Sequence, residues 1–97
     1  MFEIKVMDGG DRVAVSGSLT IACLSDFYQD LTRIFNDGIC TVLDCTGVVE
    51  IDTASVQTLM AFKKLSSELN RPVEFLMSDA MQETLSLLGL KKFFKTA

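Results

Sequence analysis

The segment CTVLDC, residues 40–45, limits the choice of fold more than any other part of the chain. It is short, mostly apolar and partly β-branched, which is typical of a strand that is buried on both faces of a sheet. A segment with the residue spacing of a helix lies on each side of it. Such a strand joins its parallel neighbours through crossover connections, so we expect it at the centre of a sheet on which helices pack.

The first third of the chain predicts a β-hairpin followed by a helix. Residues 2–7 and 12–17 alternate apolar and polar side chains, and the DGGD segment between them supplies turn residues. From Thr20 the apolar residues adopt helical spacing. Gly38 ends this helix, since glycine readily adopts left-handed backbone angles. The residues predicted to face the core are Leu24, Phe27, Leu31 and Ile34.

A second helix is predicted to begin after Asp52 and to end before Pro72, because proline blocks the continuation of a helix. The apolar spacing divides this helix into two faces. Its inner face is predicted to carry Val56, Leu59, Met60, Leu65 and Leu69, and its outer face Lys63, Lys64, Ser67 and Glu68.

The last part of the chain predicts a strand at residues 73–77 and a third helix that Gly89 ends. Ser78 and Asp79 are candidate caps, with Gln82 placed for a capping box with Asp79. The inner stripe of the helix is predicted to be Met81, Leu85 and Leu88. The segment LKKFFKT then forms either a short strand or a helical turn.

These elements give the order β-β-α-β-α-β-α and predict an α/β fold. We expect a single domain over residues 1–97, with a small mixed sheet of four to five strands and helices packed on it. The hydrophobic content of 48% is sufficient for one core.

Charge and hydropathy exclude several partner classes. The net charge is −4, and the nine Lys and Arg residues are scattered, with only the short clusters Lys63-Lys64 and Lys91-Lys92. This argues against nucleic acid, because binding to phosphate backbones depends on concentrated basic charge. No apolar run approaches the roughly 18 residues of a membrane span, and the first residues do not resemble a signal peptide. We therefore expect a cytoplasmic protein without direct membrane insertion, whose partner is another protein.

The residue types disfavour catalysis and metal binding. The chain has no histidine, which removes the commonest general base and any nucleophilic site that depends on it. Cys23, Cys40 and Cys45 form no CxxC motif and lie in apolar surroundings, so buried, reduced thiols are expected and neither a disulfide framework nor a zinc site. We predict no cofactor, no metal site and no enzymatic activity.

The segment EIDTAS, residues 50–55, is the strongest candidate site. Asp52 is a good helix N-cap, and Thr53 would then lie beside unpaired N–H groups at the positive end of the helix dipole, where a phosphate is stabilised. Ser55 offers a second hydroxyl. On spacing alone, however, hydroxyl residues at this place are also explained as caps and first-turn residues.

The segment TVLDCTGVVEIDTASVQTLMAFKKL, residues 41–65, resembles the centre of STAS domains, the family of anti-sigma factor antagonists and of the cytoplasmic domains of sulphate transporters. The segment VSGSLT resembles the loop of that family before its first helix, and LLGLKKFF its C-terminal Leu-Gly-Leu element. The resemblance extends over essentially the whole chain and implies a STAS-like fold.

The resemblance implies a bacterial partner switch in signal transduction and transcription regulation. In the antagonists, the hydroxyl residue after the Asp is phosphorylated by a GHKL-type serine/threonine kinase that is also the anti-sigma factor, and a phosphatase resets the cycle. That residue is Thr53 here, with Ser55 as a secondary candidate. The alternative is the STAS subunit of a bacterial phospholipid ABC transporter, which binds the ATPase, or a chemosensory-associated STAS protein. Threonine at this position occurs in both.

Three features qualify the resemblance. Ser55 replaces a family glycine, Thr20 replaces an acidic residue that is frequent in the family, and threonine at position 53 does not guarantee phosphorylation. The partner switch and the transporter subunit imply the same contact surface. It includes the edge formed by Lys63 and Lys64. Its central residues are predicted to be Ser18, Thr20, Asp52, Thr53, Ala54, Ser55, Val56 and Gln57. Phe93 and Phe94 close the core or line an interface.

Overall fold

The chain folds as an α/β domain, and the computed structural model describes residues 1–7, 9, 11–38 and 40–95. The elements in chain order are β1 (Phe2–Val6), β2 (Arg12–Leu19), a 3₁₀ turn (Ile21–Cys23), α1 (Leu24–Asn36), β3 (Val42–Ile51), α2 (Thr53–Glu68), β4 (Glu74–Met77), α3 (Asp79–Leu87) and α4 (Lys91–Lys95). The predicted order of elements is confirmed, and the C-terminal segment that the sequence left open is helical through Lys95. Asp8 and Gly10 of the predicted turn lie outside the described residues.

The sheet has the order β1-β2-β3-β4 and is mixed. β1 and β2 pair antiparallel as the predicted hairpin, whereas β2 with β3 and β3 with β4 pair parallel. The two parallel connections advance across the sheet in the same direction. Parallel crossovers are right-handed in nearly all proteins, which places α1 and α2 on the same face of the sheet. The rings of Phe35 on α1 and Phe62 on α2 are in contact there.

β3 is central, as predicted, but it is longer than predicted and is buried on one face only. Its buried residues are Leu43, Cys45, Val48 and Ile51, and the spacing between them departs twice from the strict alternation of a strand. The register with β2 shifts at both places, where β3 carries an extra residue. Such bulges restore the same face to the core after each irregularity. The prediction of burial on both faces was wrong because the helices lie on one side of the sheet.

α2 presents a different face to the core from the one predicted. Phe62 is 0% exposed and Lys63 is 6% exposed, whereas Leu65 is 37% and Leu69 is 52% exposed. The prediction was therefore wrong for Leu65, Leu69 and Lys63, although Val56 and Leu59 are buried as expected. Phe62 belongs to the buried face of α2 instead, since its ring packs edge-on against the Phe35 ring at a centroid distance of 5.2 Å.

α3 packs against β3 and α4 against β4, and together the two helices close the core. Ser78 is the cap of α3, because its hydroxyl accepts a hydrogen bond from the Met81 amide, and the Gln82 side chain donates to the Met77 carbonyl instead of completing a capping box with Asp79. Met81 and Leu85 are buried, but Leu88 is half exposed, contrary to expectation. The aromatic pair divides its roles: Phe94 is buried in the core and Phe93 lies at the surface.

The three cysteines are free, and two of them lie in the core. Burial raises the pKa of Cys40 to about 11, against the effect of nearby Arg71. Burial, reinforced by the nearby Asp44 carboxylate, raises the pKa of Cys45 to about 12. Both thiols are therefore protonated at neutral pH and unreactive. Cys23 is half-buried instead of fully buried.

In the part of the chain that is described, none of the helices combines the length and the apolar character that crossing a bilayer requires.

Candidate functional site

The carboxyl ends of β2 and β3 meet at one edge of the sheet. Leu19 and Ile51, the last residues of the two strands, are paired, and the Asp52 amide donates to the Leu19 carbonyl at 3.2 Å. Each strand is followed at once by a helical element, the 3₁₀ turn after β2 and α2 after β3. This edge, formed by the residues of the 3₁₀ turn and the first turn of α2, is called the docking edge below.

The carboxylate of Asp52 joins the two halves of the docking edge. Oδ1 accepts a hydrogen bond from the Ser55 amide at 2.9 Å, which makes Asp52 the N-cap of α2 as predicted. Oδ2 accepts from the Ile21 amide at 2.8 Å, across 31 positions of sequence. Burial opposes ionisation of this carboxylate, but the hydrogen bonds from Ser55 and Ile21 outweigh that effect and hold the pKa of Asp52 below its ordinary value of 3.8.

Asp52→Ala is expected to lower the free energy of unfolding by about 1 kcal/mol at neutral pH, because it removes a helix cap. The folded-state pKa is lowered, so the ionised carboxylate stabilises the fold at pH values above 3.8, and this contribution is lost as the pH falls through the folded-state pKa. Urea denaturation of wild type and variant in neutral and increasingly acidic buffers measures the difference, which should narrow with acid.

Asp79→Ala is the matched control for this comparison. Asp79 is an exposed first residue of α3, whose cap is Ser78, so its loss should cost about 0.3 kcal/mol through the helix dipole alone. A difference between wild type and Asp52→Ala that stays constant into acid would show that the ionised carboxylate is not the stabilising group.

Thr53 lies where a hydroxyl can be modified. It is the first residue of α2 and is exposed. The Val56 amide, which donates to the Asp52 carbonyl, makes the first backbone hydrogen bond of the helix, so the amides of Thr53 and Ala54 precede the intrahelical ladder. Amides in these positions and the helix dipole favour a negative group. A phosphate on Thr53 is therefore compatible with the fold at this point.

Ser55 and Val56 are placed differently from Thr53. Ser55 is 1% and Val56 0% exposed, so neither presents its side chain to a partner in this conformation. The Ser55 hydroxyl meets no hydrogen-bond partner among the described residues, although it lies near enough to the Asp52 carboxylate to favour the ionised form. A kinase could reach Ser55 only if the start of α2 opened.

The other predicted contact residues lie around the docking edge. Gln57 is exposed one turn after Thr53, Ala54 is half-buried, and Ser18 and Thr20 are half-buried at the end of β2. The Cys23 thiol lies 3.4 Å from the carbonyl oxygens of both Ser18 and Thr20 and donates toward them, which fixes the shape of this loop. The sequence did not indicate that role for Cys23.

Ile21 is a candidate contact residue that sequence reasoning missed. Its side chain is 72% exposed, and its amide is held by the Asp52 carboxylate on the docking edge. Apolar spacing alone favours burial of such a residue, so no signal in the sequence identifies it. The described residues contain no group of three His, Cys, Asp or Glu side chains that could hold a metal ion. The edge thus offers a hydroxyl, amides and apolar surface.

Comparison with known proteins places this arrangement in context. The family described as Mlab, STAS domain, matches residues 5–95, and no protein in the curated set matches the chain. Among solved structures, the anti-sigma factor antagonist SpoIIAA in its unphosphorylated form is 12% identical, with a TM-score of 0.72 over 99% of this chain and 86% of that chain. An anti-sigma factor antagonist from Mycobacterium paratuberculosis is 23% identical, with a TM-score of 0.73 over 97% and 81%. These likenesses show the fold.

Proposed function

Because the chain belongs to the STAS domain family, we propose that it is a regulatory protein-interaction module that binds a protein partner through the docking edge, and that phosphorylation of Thr53 releases this partner. The observation that carries the proposal is the position of Thr53. It is exposed at the first residue of α2, directly beside the carboxylate that joins both halves of the edge.

The chemistry of the switch is a phosphoryl transfer. A GHKL-type kinase would transfer the γ-phosphoryl group of ATP to Thr53 Oγ1, with release of ADP and the hydroxyl proton, and a phosphatase would hydrolyse the ester. The phosphate adds about −1.5 to −2 charge at neutral pH. Since Asp52 is ionised next to it, a partner surface that accommodates neutral threonine would meet a concentrated negative charge, while the helix start stabilises the same charge within the domain.

The favoured partner is an anti-sigma factor with kinase activity. The two solved structures compared above are anti-sigma factor antagonists and share the fold over nearly the whole of this chain. The exposed threonine hydroxyl is the group that such a kinase would need to reach.

The ATPase of a bacterial phospholipid ABC transporter is the second candidate partner. Two observations favour it: residue 53 is threonine and not serine, and the matching family carries the description Mlab, STAS domain. In that case Thr53 would contact the ATPase without being phosphorylated, and the docking edge would serve assembly.

Thr53→Glu is expected to keep the fold and to weaken partner binding by about tenfold or more, because a like or unpaired charge in an interface costs several kcal/mol. Tagged wild type and variant are used to isolate partners from native cells, and mass spectrometry identifies both the bound proteins and the phosphorylation state of the Thr53 peptide. A GHKL-type kinase bound only by wild type, with phosphate on Thr53, supports the switch. An ABC ATPase without phosphate on Thr53 supports the second candidate.

Thr41→Glu is the matched control, since Thr41 is exposed next to the amino end of β3, at the opposite end of that strand from Asp52. It should bind partners as wild type does. Circular dichroism checks the fold of both variants. Unfolding of Thr53→Glu, or equal loss of binding in both variants, would contradict a docking role for Thr53.

A further inference from the structure

The corner between α3 and α4 exposes apolar side chains on the surface. Leu87 is 83% exposed, Leu88 39% and Phe93 38%. The chain reverses between them at Gly89, whose φ is +70°, and the Leu90 amide closes the turn on the Leu85 carbonyl at 2.8 Å. Leu87 therefore protrudes beside a tight turn, where no part of the described chain covers most of it, and Leu88 and Phe93 are each partly exposed.

Lysines surround this corner. Residues 84–97 contain three lysines and no acidic residue, although the whole chain has a net charge of −4. Lys92 is exposed and Lys91 half-buried at the start of α4. The fold adds a second lysine pair, because Lys63 Nζ on α2 lies 5.7 Å from the centre of the Phe93 ring, and its neighbour Lys64 is exposed. Lys63 itself is only 6% exposed, so of these four lysines Lys64 and Lys92 are exposed and Lys91 is half-buried.

We propose that this corner, defined by Leu87, Leu88, Lys91, Lys92 and Phe93, adsorbs to the surface of an anionic lipid bilayer. Exposed leucine and phenylalanine side chains flanked by lysines have the composition of interfacial membrane contacts, in which the apolar groups reach the acyl boundary and the ammonium groups lie among headgroup phosphates. The contact is peripheral and differs from a membrane span. The expectation from sequence was that the chain does not insert directly into a membrane, and the proposed contact departs from that expectation.

The shape of the corner favours lipid over an acidic protein as the partner. An interfacial membrane contact takes up protruding apolar side chains at the acyl boundary and needs no complementary pocket for them. Leu87 stands almost wholly clear of its own domain, and the charge of the corner is opposite to that of the chain as a whole. Thr53 takes no part in the proposed lipid contact. Failure of the lipid contact and failure of the proposed switch at Thr53 can therefore be told apart.

Co-sedimentation of the full chain with lipid vesicles tests this contact. Wild type is expected to bind vesicles of phosphatidylglycerol and phosphatidylcholine in equal parts, to release them at high salt, and not to bind vesicles of phosphatidylcholine alone. Leu87→Ser with Leu88→Ser should lower the partition coefficient by about tenfold. Lys91→Gln with Lys92→Gln should lower the partition coefficient by about thirtyfold.

Lys5→Gln is a control that removes one positive charge away from the corner, since Lys5 is exposed on β1, the edge strand farthest from β4. It should bind as wild type does. Circular dichroism verifies that each variant is folded. Absence of vesicle binding, or equal binding to both lipid mixtures, would overturn the proposal. So would displacement from vesicles by soluble polyglutamate together with unchanged binding of the leucine variant, a result that would assign the corner to an acidic protein.

Discussion

Phe62→Ala is expected to lower the free energy of unfolding by about 3–5 kcal/mol. The ring is 0% exposed and packs edge-on against Phe35 at 5.2 Å and Phe75 at 6.4 Å between centroids. Removing it leaves a cavity where α1, α2 and β4 converge. Because domains of this size are stable by only about 5–15 kcal/mol, the loss is severe. Urea denaturation followed by far-UV circular dichroism measures it.

Two further variants keep this test decisive. Phe62→Leu retains most of the buried volume and should cost about 1.5 kcal/mol, so it remains measurable if the alanine variant does not fold. Leu65→Ala removes a side chain that is 37% exposed and should cost about 1 kcal/mol or less. If Leu65→Ala proved as damaging as Phe62→Ala, the inner face of α2 would be the one that apolar spacing predicts.

Gly17→Ala is expected to cost about 1–3 kcal/mol in backbone strain and about a further 1–3 kcal/mol through steric overlap. Its φ is +90°, and an added Cβ would lie 2.5 Å from the Met1 carbonyl oxygen and 3.2 Å from the Phe2 Cα. That carbonyl accepts a hydrogen bond from the Ser18 amide at 2.8 Å, so the methyl group would disrupt the pairing of β1 with β2. Thermal denaturation should detect a drop of about 4–8 °C per kcal/mol.

Gly38→Ala measures the cost of backbone strain without the cost of steric overlap. Gly38 has a φ of +83°, close to that of Gly17, but an added Cβ there would have no neighbouring atom within 4 Å. Only the conformational cost is expected at Gly38, so Gly17→Ala should be the more destabilising by about 1 kcal/mol or more. Equal losses would indicate that the amino-terminal strand yields to the added methyl group at little cost.

Local rules were sufficient for much of the fold. Alternation identified the hairpin, and glycine ended α1 and α3 as predicted, with Gly38 and Gly89 both at positive φ. Asp52 was identified as a cap from its place before a helical pattern, and the hydrogen bond to Ser55 confirms it. Each of these features depends on residues within about one turn of one another, which is the range over which sequence patterns are informative.

Features that depend on distant residues could not be predicted. The two bulges of β3 depend on the register between β3 and β2. The burial of Lys63 depends on α4, which places Phe93 beside Lys63. The second hydrogen bond of Asp52 comes from Ile21, in another loop. For the candidate site, the sequence therefore predicted a hydroxyl at the start of α2, that of Thr53, but not the exposed apolar side chain of Ile21 near it.

The aromatic contacts of the core also bear on how the domain forms during translation. Edge-on ring pairs connect Phe35, Phe62, Phe75 and Phe94, which belong to α1, α2, β4 and α4. This row spans most of the chain, and its last member, Phe94, is synthesised after the other three. Contacts of such long sequence separation form late, so a nascent chain that stops before Phe94 would lack the ring that completes the row. The domain should therefore acquire its full stability only once α4 has emerged from the exit tunnel.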